Sequence, residues 1–397
     1  MEQPARVRIV LGRPHLDGWK EIAGYLGRTV RTVQRWERTE GLPIRRHRHA
    51  DLASVYADPT ELDRWRAKHQ SLQSASGVPT LGEASGDERV LHEIGVEYLR
   101  RRTREGFQQA MALAHTALTI NPEYAPAYGL LALVHQSRAT YGYRPPLEDL
   151  RLAREYADRA LILDPQSVEA LQALGFVFIF MREWIQAEAL FQRLHALNAE
   201  NPTTLQYHSI LYLAQGRLDD ACTLSLEAEH LAPETPLFAV HAAWTLHSAG
   251  RFIEAIAKAR AVIERERVFW RGYFNLALSL LAVGRTQEAL RAAEISSALS
   301  QNSCVEALHA HTLSRVGDLT RAKALTARMR RGRGYISPYW LAFALTGLGD
   351  YQAAESCLRR SIQQREWFVI FLEREPGFAL VRERPAYATV RSNLGLL

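Results

Sequence analysis

The sequence is short of the features that mark a secreted scaffold, a membrane protein or an enzyme. Its three cysteines, Cys222, Cys304 and Cys357, stand far apart with no CxxC pair. Neither a disulfide framework nor a cysteine-rich zinc site can be built from them, and free thiols in a reducing compartment are expected. The most apolar stretch, Phe176 to Met181, falls far short of the ~20 residues a bilayer requires. The opening MEQPARVRIVLGRPHLD has no apolar run leading to a small-residue cleavage site. A cytoplasmic chain with no leader and no membrane contact is therefore expected. There is no Walker loop, GxSxG elbow, HExxH or kinase signature, so neither catalysis nor a cofactor is expected. His47 with His49 and His309 with His311 come nearest to a ligand pair. Residues at i and i+2 point apart on a helix and no third ligand is near in sequence, so no metal is expected.

What the chain does have is length, ordinary apolar content and an uneven charge. At 397 residues it is too long for one core. With 47% hydrophobic and 23% charged residues it can bury enough surface to offset its ordering entropy. The net charge is +6, yet residues 1–70 hold 14 Lys/Arg against 9 Asp/Glu while the remaining 327 hold 35 against 34. Within the first stretch, Arg28, Arg31, Arg35, Arg38, Arg45, Arg46 and Arg48 face only Glu37 and Glu40. An anionic partner is expected there. The cations elsewhere, balanced by acids, read as ordinary surface.

A repeat runs through most of the rest. Gly-x4-Ala recurs at Gly216 and Ala221, Gly250 and Ala255, Gly284 and Ala289, Gly317 and Ala322, Gly349 and Ala354, with alanines 34, 34, 33 and 32 residues apart. The same phase runs back to Ala187 and Ala153, then to Ala110 after a gap of 43, which implies an insertion around Tyr141 to Leu150. Such a period means one helical hairpin per repeat, with the glycine at the turn and the alanine where two helices cross closely. Asn121-Pro122, Asp164-Pro165 and Ala232-Pro233 close repeats, because proline stops a helix.

These residues resemble the tetratricopeptide repeat (TPR) family, most closely at Leu171, Leu174, Gly175, Ala187 and Phe191. The resemblance implies an α-solenoid of about eight hairpins over residues 89–362, followed by a C-terminal capping segment, 363–397. Trp367, Phe368, Phe371 and Phe378 would cover the open end of the stack as core. The concave face would bind a protein or peptide. Arg271 and Asn275 hint at the clamp some members use for a peptide carboxylate. With Phe176, Ile179, Ile210, Trp244 and His247 beside them, an apolar groove is the more natural expectation, filled by a helix, an extended segment or the protein's own linker.

Residues 18–40, GWKEIAGYLGRTVRTVQRWERTE, carry a helix-turn-helix pattern. Trp19, Ile22, Ala23 and Leu26 share one helix face, Gly27 supplies the turn, and Val30, Val33 and Trp36 form the stripe of a second helix. The other face then presents Arg31, Arg35 and Arg38, with Thr32 and Gln34 beside them, and Thr29 is placed to cap the helix. Ile44 to His49 and Ser54 to Ala57 read as the two strands of a wing, with a short helix from Pro59 packing through Leu62 and Trp65. Arg45, Arg46 and Arg48 would lie on that wing.

The run WxxIAxxLG, then TxxRW and GLP, resembles the MerR/excisionase-like winged helix family. The resemblance implies that Arg28, Thr29, Arg31, Thr32 and Arg35 face double-stranded DNA from the helix and Arg46 and Arg48 from the wing. MerR regulators continue into a long dimerising helix. Here a Ser- and Gly-rich stretch follows, so their metal or drug response is not carried over. A homodimer is compatible with a reader of this kind, although no coiled coil supplies one. The expected layout is an arm, 1–16, a winged helix-turn-helix domain, 17–69, a flexible linker, 70–88, and then the solenoid and its cap. The implied function is a sequence-specific DNA-binding transcription regulator. The alternative is a TPR scaffold or adaptor whose winged helix docks protein.

Overall fold

The structure, a computed structural model, describes residues 8–10, 13–26, 29–40, 42–46, 55–65, 87–300, 302–332 and 334–394. The chain separates into two compact units, residues 1–83 and 84–397. No helix among the described residues is long and apolar enough to cross a membrane.

In the first unit the described residues include helices α1 (Gly18–Leu26) and α2 (Val30–Glu40) and a third helix, α3, over residues 59–65. Their core follows the expected stripes. Ile22, Ala23 and Leu26 of α1 close on Val33 of α2 and Leu62 of α3, with Trp19, Val30, Trp36 and Trp65 packed at the margin. Around them lies an antiparallel sheet of strands β1 (Arg8–Val10), β2 (Arg13–Asp17), β3 (Arg45–Arg46) and β4 (Val55–Ala57), in the order β1-β2-β4-β3. Strand β2 sets Leu16 opposite Ala57, and β3 sets Arg46 opposite Val55. The expected N-terminal arm is therefore part of this unit. Leu16 is fully buried in its core, and β2 supplies the hydrogen bonds that the second edge of β4 needs. The expected linker from residue 70 to 86 and the wing residues 47–54 lie outside the described residues.

The second unit is a solenoid of eight helical hairpins. They are α4 and α5 (Glu88–Arg100, Arg104–Ile120), α6 and α7 (Ala125–Tyr141, Pro146–Leu163), α8 and α9 (Val168–Met181, Trp184–Leu197), and α10 and α11 (Pro202–Gln215, Leu218–Leu231). Then come α12 and α13 (Pro236–Ser248, Phe252–Arg265), α14 and α15 (Trp270–Ala282, Thr286–Leu299), α16 and α17 (Ser303–Arg315, Leu319–Arg331), and α18 and α19 (Pro338–Gly347, Tyr351–Gln363). This TPR-like, mainly α architecture follows from the alanine phase. All eight phased alanines sit in second helices at 0% exposure, because a longer side chain there would push the crossing helices apart. The turns take left-handed backbone, as at Gly216 (φ 81°) and Gly317 (φ 92°), which glycine adopts without strain. Hairpin α8–α9 lacks that glycine and uses Arg182 (φ 63°), whose guanidinium donates to the carbonyl of Leu394.

The insertion at Tyr141 to Leu150 is not chiefly a loop. It lengthens α6 and α7 to 17 and 18 residues, against 14 in each helix of the next hairpin. The longer α6 reaches across the superhelix: the Asn302 amide donates to the carbonyl of Tyr141 at 3.1 Å, and the Arg271 guanidinium lies 4.5 Å from the Tyr141 ring centre. After α19 the chain makes 3-10 turns at Trp367–Phe371 and Pro376–Phe378, then helices α20 (Ala379–Arg382) and α21 (Tyr387–Leu394).

Candidate functional site

Helix α2 is held by one face. Val33 is fully buried, and Trp36 packs against Trp65 with ring centres 5.4 Å apart. Its first turn is capped, since the Thr29 hydroxyl accepts from the Thr32 amide at 3.3 Å, satisfying a donor that the helix start leaves over. Thr29 and Arg31 are exposed and Thr32 is half-buried. Arg35 and Arg38 lie on α2, but their side chains, like the residues Arg28 and Arg48, fall outside what is described. The wing arginines are engaged. Arg45 pairs with Glu61 at 2.5 Å and Arg46 with Glu37 at 2.5 Å. The second pair ties β3 to α2, so two of the cations assigned to a partner first hold their own unit together. Pairs this exposed contribute little, about 0–1 kcal/mol each, so a phosphate can compete for either arginine.

The concave face of the solenoid differs from expectation. Phe176 is 1% exposed, Ile179 0%, Ile210 3% and His247 3%, and part of the cover of this face comes from the chain's own C-terminal segment. The Trp367 ring lies 5.2 Å from Trp244 and 6.1 Å from Phe176. Phe371 meets Trp244 edge-on at 4.7 Å. Polar contacts fix the register. The Trp367 indole donates to the carbonyl of Thr140 at 3.1 Å, Arg374 donates to the carbonyl of Leu213, and Glu375 lies 3.3 Å from His247 Nε2. Of the residues expected to line a groove, Phe176, Trp244 and His247 meet the chain's own C-terminal segment. Among the described residues the segment on this face is 367–375. The clamp does not form either. Asn275 is buried and spends its amide on the carbonyl of Val240 at 2.7 Å, while half-exposed Arg271 stacks on Tyr141. Of the four tail aromatics, Phe378 covers the last hairpin, 5.4 Å from Phe343. Trp367 and Phe371 turn inward instead.

Trp367 and Phe371 were expected at the open end of the stack, and Arg374 and Glu375 were not singled out by the sequence. A signal existed in α8, VEALQALGFVFIFM, in which every residue from Ala170 to Val177 is buried. A helix apolar on all sides needs cover on all sides. Crevices remain, among them one of about 60 Å³ beside Arg271 and Trp367 and a larger one of about 500 Å³ between His311, Arg315, Tyr351 and Leu380.

Burial shifts the titratable groups of this interior. Burial pushes His241 down to about 3 and His208 down to about 4, so both are neutral. Burial raises all three thiols, Cys304 up to about 12, which leaves them weak nucleophiles. Glu366, buried against the Tyr339 amide at 2.9 Å and the Tyr335 hydroxyl at 2.8 Å, is pushed up to about 7 by desolvation. Among the described residues no group of three His, Cys, Asp or Glu side chains could hold a metal ion.

No family model matches the chain. Over 158 residues it is 24% identical to the transcriptional regulator HilA of Salmonella typhimurium, a match covering 40% of this chain and 29% of HilA. HilA of Salmonella typhi matches to the same extent. The matched stretch is longer than the first unit, so it includes part of the solenoid. Among solved structures, the APC/C hetero-tetramer Cut9–Hcn1 is similar with a TM-score of 0.53 at 14% identity, over 84% of this chain and 59% of that one. A tetratricopeptide repeat protein from Parabacteroides merdae aligns at a TM-score of 0.43 and 14% identity, over 74% of this chain and 98% of that one. The likeness at these identities is one of fold.

Proposed function

We propose that this chain is a non-enzymatic, cytoplasmic interaction protein, a TPR adaptor that binds protein through its solenoid and carries a small winged helix-turn-helix unit as a second docking module. The observation that carries this reading is the occupied concave face. An aromatic segment followed by a carboxylate, Trp367 to Glu375, sits in it through tilted and edge-on ring contacts, backbone carbonyls and one histidine. That is peptide recognition carried out within one chain. A partner segment of the same chemistry is the expected competitor. A peptide of residues 365–378 added in trans, followed by exchange protection of the Trp367 indole, tests this. Exchange that speeds up with peptide supports an adaptor groove, and protection unchanged at saturating peptide counts against it.

A second reading, a DNA-binding transcription regulator, is favoured by a different observation. Helix α2 is anchored by Val33 with Arg31 exposed on the opposite side and a capped first turn, the arrangement by which a recognition helix meets a major groove. The match to a transcriptional regulator in part of the chain agrees with it. Its partner would be double-stranded DNA, read by one copy or by a homodimer. Fluorescence anisotropy of the full chain with duplex DNA at low salt separates the readings. Affinity that falls steeply with salt and weakens on Arg31→Ala favours the regulator, and no duplex affinity leaves the adaptor.

A further inference from the structure

The charge of the solenoid is balanced in total and uneven in place. Residues 319–365 hold nine Lys/Arg against two Asp/Glu, a net of +7, more than the +6 of the whole chain. Both acids are already used. Asp350 caps α19 through the Ala353 amide at 3.3 Å, and buried Glu355 accepts from Arg384 at 2.8 Å. Arg321 and Arg328 pair with Glu294 at 3.1 Å and Glu306 at 2.7 Å. Of the others, Lys323, Arg330 and Arg331 of α17 and Arg360 of α19 are exposed and in no ion pair among the described residues. The two helix ends are held together, since the Tyr335 hydroxyl, just beyond α17, donates to Gln364 Oε1, just beyond α19, at 2.8 Å.

We infer that the exposed side of α17 from Lys323 to Arg331, together with the C-terminal end of α19, forms a binding surface for the phosphate backbone of nucleic acid. What decides between that and an acidic protein is the absence of an apolar anchor. Protein interfaces draw most of their affinity from buried aromatic or aliphatic side chains, and among the described residues no large hydrophobic side chain is exposed between Leu319 and Leu380. The small residues Ala324, Ala327 and Gly332 lie between the cations instead. A phosphate backbone asks only for cations that release its counterions. Three of the four are arginines, whose planar fork suits phosphate. Lys323 to Arg331 spans about 12 Å of helix, room for several phosphates at roughly 3.4 Å of axial rise per strand. This surface lies in the second unit and does not depend on the reading of α2.

The test uses the full chain, a 20-base-pair duplex of mixed sequence, and anisotropy at several salt concentrations. The variant Lys323→Ala/Arg330→Ala/Arg331→Ala/Arg360→Ala removes exposed side chains alone, and its helicity and melting are checked first. It is expected to lose about tenfold or more in affinity at low salt, and to flatten the slope of log K against log salt by about 0.9 for each phosphate left unneutralised. Exchange of the three arginines for lysine, which keeps the charge, should restore most of the slope. Arg31→Ala alone reports on α2, so a loss confined to that variant, with the four-site variant unchanged, overturns the inference. Polyglutamate that displaces the duplex at equal charge concentration also overturns it, because the surface would then favour acidic protein.

Discussion

Helix α2 of the first unit and helix α8 of the second are of similar length and opposite design. The first buries Val33 fully and leaves Thr29 and Arg31 exposed at its start. The second buries ten of its fourteen residues, on every side. An amphipathic helix has a face to spare for a partner, whereas a helix apolar all round has already found its cover. In this protein α8 is enclosed by the neighbouring hairpins, and its Phe176 also meets Trp367, from far along the chain. The difference moves the search for a partner away from the place where a TPR solenoid is first examined. Inside, a partner must displace residues 367–375. Outside, it meets unpaired cations.

The largest way to break the comparison is to remove the plug. Trp367 is 7% exposed and touches Trp244, Phe176, Phe368 and Phe371. Trp367→Ala should lower the stability of the solenoid by about 3–5 kcal/mol, through reduced burial and the cavity left behind, read as a drop in urea midpoint at constant slope. An unchanged midpoint would mean that the interior does not need its cover, and α8 would have to be counted among the open faces. A smaller and sharper version is Gly377→Ala. A Cβ built there lies 2.1 Å from Cε2 of Phe343, and that ring is 1% exposed and stacked on His311 at 4.3 Å. With nowhere for the ring to move, the added methyl should cost about 1–3 kcal/mol.

The same interior should give the solenoid a two-sided response to pH. An unfolded histidine takes a proton near 6.5, but His241 does so only near about 3. Below pH 6.5 the unfolded chain therefore binds the extra proton, and stability falls as the pH drops. Glu366 acts the other way. Its unfolded value is 4.5 and its folded value about 7, so the folded chain holds the extra proton between them. Its contribution is complete below pH 4.5 and is lost as the pH rises through 7. Urea midpoints of the wild type from pH 4.5 to 7 report the difference. His241→Gln should reduce the gain in stability with rising pH, and Glu366→Gln should enlarge it, each by on the order of 1–3 kcal/mol across the window. Parallel curves for all three proteins would show these groups to be solvated and the interior to be open.

Much of the scaffold was legible because it rests on local rules. A small residue is required wherever two helices of a hairpin cross closely, so eight phased alanines announced eight hairpins, all of them at 0% exposure. The stripe of Ile22, Leu26 and Val33 announced the core of the first unit for the same kind of reason. What could not be read depends on long-range closure. The Trp367 indole bonds a carbonyl 227 positions away, a pairing set by superhelical curvature and by the lengthened α6. The strands β1 and β2 were missed because three and five residues are too few for a period-2 pattern to stand out. Arg45 and Arg46 looked free because their partners, Glu61 and Glu37, meet them through the folding of the sheet against its helices. The basic stretch 319–365 was written in the sequence and hidden by averaging over 327 residues.

The smallest expected effect tests the open side of the comparison, at α2. Thr29 accepts the Thr32 amide, so Thr29→Ala should destabilise the first unit by about 1 kcal/mol, the usual cost of removing a helix cap. Arg31 is exposed with no ion partner among the described residues, so Arg31→Ala should change that stability by less than about 0.5 kcal/mol. Fluorescence of Trp19, Trp36 and Trp65 can follow the unfolding of this unit, with Trp367 and the other solenoid tryptophans replaced by phenylalanine to remove their signal. A residue that stabilises nothing, on a helix whose other face is buried, is free to serve a partner. If Arg31→Ala proved as costly as Thr29→Ala, the side chain would be engaged within its own unit. The contrast between a helix with a spare face and one without would then fail at its open end.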